Sequence, residues 1–249
     1  MPEFYLVGGA VRDMLLGLPV KDYDYAVECE SFDAMRDAIV ERGGQIFVET
    51  PEYLTIRAID VTGDITGLPN MATDFVMCRS DGDYVDGRRP ETVTPGTLHD
   101  DLSRRDFTIN AMAIKTTDLS YGGNDSRSDL AKIIDPFGGR KDLASKMLRT
   151  VGDAYDRFNE DTLRILRAMR FSITRDFFVE PDIIATMTDD HFAEKMRELS
   201  VDRRRMEIEK CFAFDTAYTL WYMNYYCSPK MIASIFQDMW LKPTTEKRW

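Results

Sequence analysis

Short apolar runs separated by turn residues fill the first half of the chain, a pattern typical of a mixed sheet with flanking helices. Runs rich in β-branched and aromatic residues predict strands at residues 3–7, 24–27, 45–48, 54–59 and 73–78. A helix-like stretch covers residues 11–16. A longer helix is predicted over residues 32–42, with Ser31 as its N-cap and a glycine pair as its stop.

A polar stretch over residues 80–101 interrupts this pattern. Four Gly or Pro residues lie between Gly82 and Pro95, so we expect a long exposed loop of a type that is often functional. After it, residues 106–116 are predicted to be helical. Residues 133–139 are predicted to form a strand that runs into a turn.

From about residue 141 onward the apolar positions follow a helical period. Residues 158–173 predict one amphipathic helix, and further helices are predicted at residues 191–199, 201–214, 216–226 and 229–240. We place a domain boundary near residues 140–146. The fold class predicted is α+β, with a mixed sheet and its helices first and an all-helical region after it.

Charge and composition narrow the function. The 249 residues carry a formal net charge of −11, which disfavours a protein that binds nucleic acid over its whole surface. Local basic grooves remain open, because net charge governs long-range steering and not each patch. The arginines cluster at Arg88-Arg89, Arg104-Arg105, Arg164/Arg167/Arg170 and Arg203-Arg204-Arg205.

Cysteine usage and hydropathy bear on the compartment. The four cysteines are scattered without a C-x-x-C pair and the chain has two histidines, which disfavours a structural zinc site or a disulfide framework. No apolar run approaches the ~20 residues that span a membrane, and the N-terminus lacks the basic start of a signal peptide. We therefore expect a cytoplasmic protein with reduced thiols and no membrane partner.

The strongest chemical signal lies between residues 6 and 27. We expect the second strand to carry Asp22 and Asp24, whose side chains would project to the same side. Two such carboxylates repel each other unless a cation lies between them, and Mg²⁺ prefers oxygen ligands that it shares with phosphates. Upstream, Gly8-Gly9 precedes a helix and would let backbone N–H groups approach a phosphate. Together these features favour nucleotidyl transfer over solvated edge acids and a plain turn.

A third carboxylate, Asp74, lies in the predicted strand over residues 73–78. On a neighbouring strand it would complete a clamp for two metal ions, one activating the attacking hydroxyl and one neutralising the leaving pyrophosphate. An aspartate that satisfies a turn at the start of the strand explains it equally well.

The segment RRDFTINAMA, residues 104–113, carries a second group of candidates. Arg104 and Arg105 before a helix start can bind a triphosphate through bidentate hydrogen bonds, and Asn110 can orient a ribose. The alternative is an exposed basic corner in which Asp106 caps the helix.

The segment EDTLRILRAMRF, residues 160–171, carries a third group. On one helix, Asp161 and Arg164 would be neighbours on one face, and Arg167 would extend that row. One acceptor and one donor fork can pair with the edges of cytosine and adenine and leave uracil unsatisfied, which gives discrimination. The alternative is a solvated row of ion pairs.

Several of these segments occur together in one known family. The chain resembles the class II tRNA nucleotidyltransferases, which add CCA, and the related poly(A) polymerases, over about residues 4–214. The resemblance implies a polymerase β-type nucleotidyltransferase head at residues 1–143, a helical neck for nucleotide selection at 144–214 and a short helical body at 215–249. The matching segments, in order, are GGAVRD from Gly8, the Asp22/Asp24 pair, RRDFTINAMA, DPFGGRKDL, EDTLRILRAMRF and LSVDRRRMEIEK.

The resemblance also assigns roles to the candidate residues. It implies metal ligation by Asp22 and Asp24, with Asp74 as the third catalytic carboxylate. It implies that Asp161 and Arg164 read the incoming base, supported by Glu160 and Arg167, and that the loop at 80–101 takes part in switching from C to A. The remaining nucleotide-binding residues that it implies are Gly8, Gly9, Arg12, Arg104, Arg105, Asp106 and Asn110.

The implied activity is template-independent addition or repair of the 3′-terminal CCA of tRNA from CTP and ATP, with two Mg²⁺ ions or Mn²⁺ in their place. Poly(A) synthesis, addition of CC or A alone, and a non-catalytic RNA-binding role on the same scaffold stay open as alternatives. Family members usually continue through larger body and tail domains. Either the aromatic C-terminal helices form a minimal body, or a partner or a second copy in a homo-oligomer supplies the surface that grips tRNA.

Overall fold

The structure is a computed structural model that describes residues 1–81, 93–118 and 131–240. In its described part the chain forms two compact units, divided in sequence between Leu143 and Ala144. We call the N-terminal one unit 1 and the C-terminal one unit 2.

Unit 1 is built on a six-stranded sheet in the order β3-β4-β5-β2-β1-β8. Neighbouring strands run antiparallel except β2 and β5, which are parallel. The strands of the sheet are β1 (Glu3–Val7), β2 (Asp24–Glu28), β3 (Gly44–Thr50), β4 (Thr55–Asp60), β5 (Met71–Met77) and β8 (Ala113–Lys115). A separate pair is formed by β6 (Arg79–Asp81) and β7 (Val93–Pro95).

Alternating apolar side chains of this sheet form the core of unit 1. Phe4 and Tyr25 both pack on Phe75, with ring centroids 5.7 and 5.6 Å apart. Met35 and Ile39 of one helix add to the same core, and the Ser31 hydroxyl caps that helix by accepting from the Ala34 N–H. The helices of unit 1 are α1 (Gly9–Leu15), α2 (Phe32–Glu41), α3 (Leu98–Ser103) and α4 (Gly139–Ala144), with 3₁₀ turns at Pro51–Tyr53, Thr108–Asn110 and Thr116–Asp118.

Unit 2 is helical, with one short parallel strand pair, β9 (Met147–Leu148) and β10 (Phe178–Val179). Its core includes Phe158, Met169 and Phe192, all fully buried. The helices are α5 (Ala154–Glu160), α6 (Leu163–Arg175), α7 (Pro181–Thr188), α8 (Asp190–Glu198), α9 (Val201–Phe214), α10 (Thr216–Tyr226) and α11 (Pro229–Phe236).

The α+β fold class is confirmed by this architecture, while several element predictions in unit 1 are wrong. The predicted helix at 106–116 is a 3₁₀ turn at Thr108–Asn110 followed by strand β8. Pairing of β8 with β1 overrides the local helical preference, because the sheet satisfies the backbone groups of this apolar segment. The predicted strand at 133–139 is reduced to one bridge between Ile134 and Ala113.

Two further corrections concern the polar stretch and the second strand. The predicted loop at 80–101 contains parts of β6, β7 and α3, and its residues 82–92 lie outside the described ones. Helix α3 begins there because Thr97 and Asp100 form a reciprocal capping box. Strand β2 begins at Asp24, so Asp22 precedes the strand and is not carried by it.

In unit 2, the predicted single helix at 158–173 is two helices, α5 and α6, broken at Asp161 and Thr162. The break is stabilised locally, because the Asp161 carboxylate accepts from the Leu163 N–H and the Thr162 hydroxyl donates to the Phe158 carbonyl. Helix α7 was not predicted, although Pro181 stands at its first turn. The last predicted helix, 229–240, ends at Phe236.

None of the helices in the described part of the chain has the length and apolar character needed to cross a bilayer.

Candidate active site

The start of strand β2 brings the acidic candidates of unit 1 together. Asp24 is the first residue of β2 and Asp22 lies two positions before it. Because β2 and β5 are parallel neighbours with Asp24 in register with Asp74, two carboxylates from distant segments occupy adjacent positions of the sheet.

The neighbouring acids affect the pKa of Asp24. Burial of the carboxyl raises its pKa, and the negative charges of Asp74 and Asp22 raise it further. The Arg105 guanidinium acts in the opposite direction and lowers the pKa. Burial therefore dominates the raised pKa of Asp24, while the repulsion of two acids and the attraction of one arginine act in opposite directions.

Asp74 is held by an ion pair within the sheet. Arg57 of β4 donates to both of its carboxylate oxygens, with Nε–Oδ1 and Nη2–Oδ2 distances of 2.5 and 2.8 Å. Among the residues that the structure describes, no group of three or more His, Cys, Asp or Glu side chains is arranged to hold a metal ion. The local arrangement thus offers Asp22 and Asp24 as a pair of acidic ligands, with Asp74 engaged by Arg57.

Beside the carboxylates, the turn at Gly8 leaves space for an arginine. Gly8 has a φ of +69°, and a Cβ at this position would lie 2.7 Å from Nη1 of Arg105. The same Arg105 nitrogen lies 3.4 Å from the Asn110 carbonyl oxygen, to which it donates. Glycine at position 8 therefore suits both the left-handed backbone and the close approach of the Arg105 guanidinium.

A chain of polar side chains continues from the glycine turn. Arg12 Nη1 donates to Asn110 Oδ1 at 2.6 Å, and Asn110 Nδ2 donates to Asp106 Oδ1 at 2.9 Å. Asp106 and Asn110 are buried, and Asp106 also accepts from the Phe107 N–H. Next to Arg12, a Cβ on Gly9 would lie 3.3 Å from Nη2 of that arginine. The side-chain amide of Asn110 is thereby held between the Asp106 carboxylate and the Arg12 guanidinium, and these two hydrogen bonds set its orientation.

A buried acid anchors the arginine pair. Asp101, 1% exposed, forms ion pairs with both Arg104 and Arg105. Burial alone would raise the pKa of Asp101, but the two guanidinium groups outweigh it and hold the pKa below its ordinary value. The sequence analysis did not single out Asp101, although its spacing of three and four residues from the arginines was a readable signal.

The glycine-rich turn of DPFGGRKDL packs directly on RRDFTIN. A Cβ on Gly139 would lie 2.2 Å from the Thr108 carbonyl oxygen, so only glycine fits there. The Asp135 carboxylate accepts from the N–H groups of Gly139 and Arg140, and the Thr108 hydroxyl donates to Asp142. These contacts fix the 3₁₀ turn that carries Asn110.

In unit 2, the residues of EDTLRILRAMRF are arranged differently from the prediction. Asp161 lies in the break between α5 and α6, so it and Arg164 are not neighbours on one helical face. Its carboxylate accepts from Arg203 Nη2 at 3.1 and 2.9 Å. Arg203 was missed as a supporting residue because it lies 42 positions away and no local pattern connects the two.

Arg164 has its own acidic partner. Its Nη1 donates to Glu160 Oε2 at 2.9 Å and to the Arg157 carbonyl oxygen at 3.2 Å. Arg167 lies near Glu207 of α9. Burial raises the pKa of Glu207, and Arg170, Lys210 and Arg167 together outweigh this effect and lower it. The predicted row of Asp161, Arg164 and Arg167 is therefore distributed over three separate acid–base groups.

Comparison with known proteins places this arrangement in a family. The sequence model of the poly A polymerase head domain matches residues 4–149, which is more than half of the chain. The chain belongs to the poly A polymerase head domain family. The matched range contains the carboxylates of β2 and β5, the glycine turn and the arginine pair that directly follows α3.

The proteins to which the chain is similar include CCA-adding enzymes. The CCA-adding enzyme of Geobacillus stearothermophilus is 39% identical over 209 residues, 84% of this chain and 45% of that protein. The crystal structure of the Bacillus stearothermophilus CCA-adding enzyme in complex with CTP superposes with a TM-score of 0.68 at 31% identity, over 89% of this chain and 47% of that one. A tRNA nucleotidyltransferase complexed with a primer tRNA and an incoming ATP analog gives a TM-score of 0.67 at 28% identity, over 97% of this chain and 61% of that one. This member of the family thus spans about half the length of the curated relatives it matches.

Proposed function

We propose that the chain is a template-independent nucleotidyltransferase that adds or repairs the 3′-terminal CCA of tRNA from CTP and ATP. The observation that carries the proposal is the placement of Asp24 and Asp22 beside the Gly8 turn and Arg105 in a member of this family. The relatives and structural neighbours, which are CCA-adding enzymes and complexes with CTP, tRNA or an ATP analog, support the choice of substrates.

The acidic pair fits a divalent cation. Burial is the main cause of the raised pKa of Asp24, and the neighbouring charges of Asp74 and Asp22 raise it further. A bound cation would neutralise those charges, and two carboxylates completed by water and phosphate oxygens are a common ligand set for Mg²⁺. Asp22 and Asp24 would hold the ion, and Mn²⁺ would suit the same oxygen ligands. When bound, such ions supply charge neutralisation on the triphosphate and lower the pKa of the attacking hydroxyl. Asp74 would join them as a third ligand only by exchanging its pair with Arg57.

The other residues of unit 1 would bind and orient the nucleotide. Arg105 and Arg104, anchored by Asp101, would pair with triphosphate oxygens, and Arg12 would add a third guanidinium. The fixed amide of Asn110 would orient the ribose. The backbone of Gly8 and Gly9 would shape the phosphate pocket, since both positions are crowded by arginine side chains.

Base selection would fall to the corner between α5 and α6 in unit 2. Asp161 would accept from the exocyclic amine of cytosine or adenine, and Arg164 would donate to the ring nitrogen. Arg203 and Glu160 would hold these two side chains in place. Uracil would leave both groups without a partner, which is costly in a desolvated site.

The reaction itself needs no covalent enzyme intermediate. The terminal ribose hydroxyl of the RNA attacks the α-phosphorus of the nucleotide, a new P–O bond forms, and the bond to the β-phosphate breaks to release pyrophosphate. Catalysis then depends on positioning and on neutralising the negative charge that develops.

The test is incubation of the purified chain with Mg²⁺, one labelled nucleotide at a time (CTP, ATP or UTP) and tRNAs that end before CCA, CA or A, followed by sequencing of the products. We expect CC to be added from CTP, then a single A from ATP, and no extension from UTP. A long adenosine ladder would instead identify a poly(A) polymerase, and an incomplete end would identify a CC- or A-adding enzyme. No incorporation would favour the non-catalytic role.

Two matched variants distinguish a loss of catalysis from a loss of folding. Asp22→Ala should abolish transfer while leaving CTP binding partly intact, and Asp37→Asn, an exposed acid on α2, should leave transfer unchanged. Full activity of Asp22→Ala would contradict the metal assignment.

A further inference from the structure

A pocket of unit 2 is lined by none of the residues to which the proposed function gives a role. It has a volume of roughly 150 Å³ and is lined by nine residues, five of them aromatic. Tyr218, Tyr222 and Tyr226 enter from successive turns of α10, and Phe177 and Phe178 enter from the segment around β10. Helical spacing of four residues explains why the three tyrosines share one face.

At the inner wall, one polar atom has no partner. The Tyr222 hydroxyl is buried and makes no hydrogen bond to any residue that the structure describes, and the residue as a whole is 2% exposed. Burial raises the pKa of the Tyr222 hydroxyl, and the neighbouring Ser172 hydroxyl, which donates to the Phe177 carbonyl at 2.9 Å, lowers it in part. A buried hydroxyl of this kind costs free energy until a ligand or water satisfies it.

The mouth of the pocket is acidic. Asp176, in the left-handed conformation at the C-cap of α6, contributes a carboxylate to the lining. Its Oδ2 is 2.7 Å from Nζ of Lys146, so a lysine ammonium already occupies one side of this carboxylate. None of the nine lining residues, all in the described part of the chain, is Lys or Arg.

We propose that this pocket binds a primary alkylammonium group, with the ammonium between the Asp176 carboxylate and the Tyr222 hydroxyl and the alkyl chain against the rings. An ammonium donates three hydrogen bonds and accepts none, which matches a carboxylate and a hydroxyl oxygen that can accept. Aromatic rings attract cations through their π faces, and the net charge of −11 raises the local concentration of cations.

The size and charge of the pocket argue against a nucleotide as the occupant. An apolar cavity of about 150 Å³ holds a single ring such as benzene, so a four-carbon chain fits. A nucleotide would bring its phosphate next to Asp176 without a lining cation to neutralise it. The inference concerns unit 2 alone and does not depend on the proposed transfer activity.

The probe is n-butylammonium chloride added to the full chain labelled with ¹³C in its tyrosine rings, with the same concentration of NaCl as reference. We expect saturable shifts of the Tyr218, Tyr222 and Tyr226 ring signals, with a dissociation constant of about 1 mM for so small a ligand. Neutral n-butanol should bind at least about fivefold more weakly, because it lacks the charge.

Four variants test the contacts individually. Tyr222→Phe should weaken butylammonium roughly fivefold without loss of thermal stability, because the hydroxyl it removes has no partner. Asp176→Asn, which keeps a residue that tolerates the left-handed backbone, should weaken it roughly threefold. Lys146→Met should strengthen it about twofold by removing a competing ammonium. Asp190→Asn, an exposed acid paired with Lys230, should leave binding unchanged.

Other results would overturn the proposal. Absence of shifts up to about 50 mM butylammonium would mean that the pocket holds only water. A loss of stability in Tyr222→Phe would mean that the hydroxyl is structurally partnered. Tighter binding of cytidine monophosphate than of butylammonium, weakened by Lys146→Met, would assign the pocket to nucleic acid instead.

Discussion

Asp101 supports the arginine pair of unit 1 from a buried position. It receives ion pairs from Arg104 and Arg105, while Arg105 also lowers the pKa of Asp24. A single carboxylate therefore links the triphosphate-binding candidates to the acidic pair. Because Asp101 is buried and acts through the two arginines, we class it as a positioning residue.

Asp101→Asn should destabilise unit 1 in a pH-dependent way. The folded-state pKa of Asp101 is lower than its ordinary value of 3.8, so its contribution is fully present above that value and is lost as pH falls through the lowered pKa. At neutral pH we expect a loss of about 2 kcal/mol in the free energy of unfolding, since two partly buried guanidinium groups lose the charge of their buried partner. Urea unfolding followed by circular dichroism at neutral pH and at a pH well below 3.8 measures the difference in the free energy of unfolding between the two proteins, which should be smaller at the acid pH.

The control for this prediction is Asp37→Asn, which removes an exposed acid from α2. It should change neither the neutral-pH stability nor its pH dependence. If Asp101→Asn unfolds with the wild-type midpoint at neutral pH, the two ion pairs contribute nothing and Asp101 is not an anchor.

At the scale of elements, three consecutive arginines of α9 bind three different sets of partners. Arg203 binds the Asp161 carboxylate, and Arg205 pairs with Asp202 within the same helix. Arg204 is fully buried and donates to the carbonyl oxygens of Leu199, Ser234, Ile235 and Gln237. The helical rotation of about 100° per residue sends neighbours in sequence to different partners.

Arg203→Gln should damage base choice more than transfer. Without its partner the Asp161 carboxylate loses its fixed orientation, so on the proposed function we expect a roughly tenfold smaller preference for CTP over UTP. Arg164→Ala should act in the same direction. Single-nucleotide addition with each triphosphate measures the ratio.

The matched control is Arg205→Gln, two residues further along the same helix and paired with Asp202, which should keep the wild-type preference. An unchanged preference for CTP over UTP in Arg203→Gln would remove this residue from the selection machinery.

Arg204→Met should loosen the C-terminal helix α11. The change removes four hydrogen bonds to carbonyl groups near the end of α11 and before α9, and we expect a loss of about 3 kcal/mol in local stability. Hydrogen exchange of the segment Pro229–Phe236 measures it, with Arg205→Met as control. Wild-type protection in Arg204→Met would show that packing alone holds α11.

How far the sequence predicts these elements depends on where their partners lie. Strand β1 and the capped helix α2 follow from local alternation and from Ser31, and both are confirmed. The segment at 106–116 could not be assigned locally, because its pairing with β1 is decided by residues about a hundred positions earlier. The same holds for Asp161, because its partner Arg203 lies in another helix and the sequence around Asp161 does not indicate that pairing. The carboxylates and the glycine turn were recognisable because their chemistry is encoded within a few residues.

At the scale of the whole molecule, the basic clusters noted in the sequence are largely neutralised within the fold. Arg104 and Arg105 pair with Asp101, Arg164 with Glu160, Arg170 with Glu207 and Arg203 with Asp161. Arg88 and Arg89 lie outside the described residues. Because these arginines are paired with acids, the clusters do not form a basic surface that would counteract the net charge of −11.

Binding of tRNA should accordingly depend weakly on salt. Each phosphate that a protein neutralises contributes about −0.7 to −0.9 to the slope of log K against log salt concentration, so we expect a slope of magnitude about 3 or less. Filter binding or fluorescence anisotropy with a tRNA lacking CCA, over a range of NaCl concentrations, measures it. A slope of magnitude about 6 or more would reveal a large basic surface and contradict this reading.

The parallel pairing of β2 and β5 has a consequence for how the protein folds. Asp24 and Asp74 become neighbours only through that pairing, although 49 residues separate them in the chain. Closing so long a segment to pair β5 with β2 is slow compared with forming a hairpin. A growing polypeptide that has reached only β4 would thus contain β1 and β2 with one member of the acidic neighbourhood still missing, so this corner of the site cannot assemble until β5 has been made.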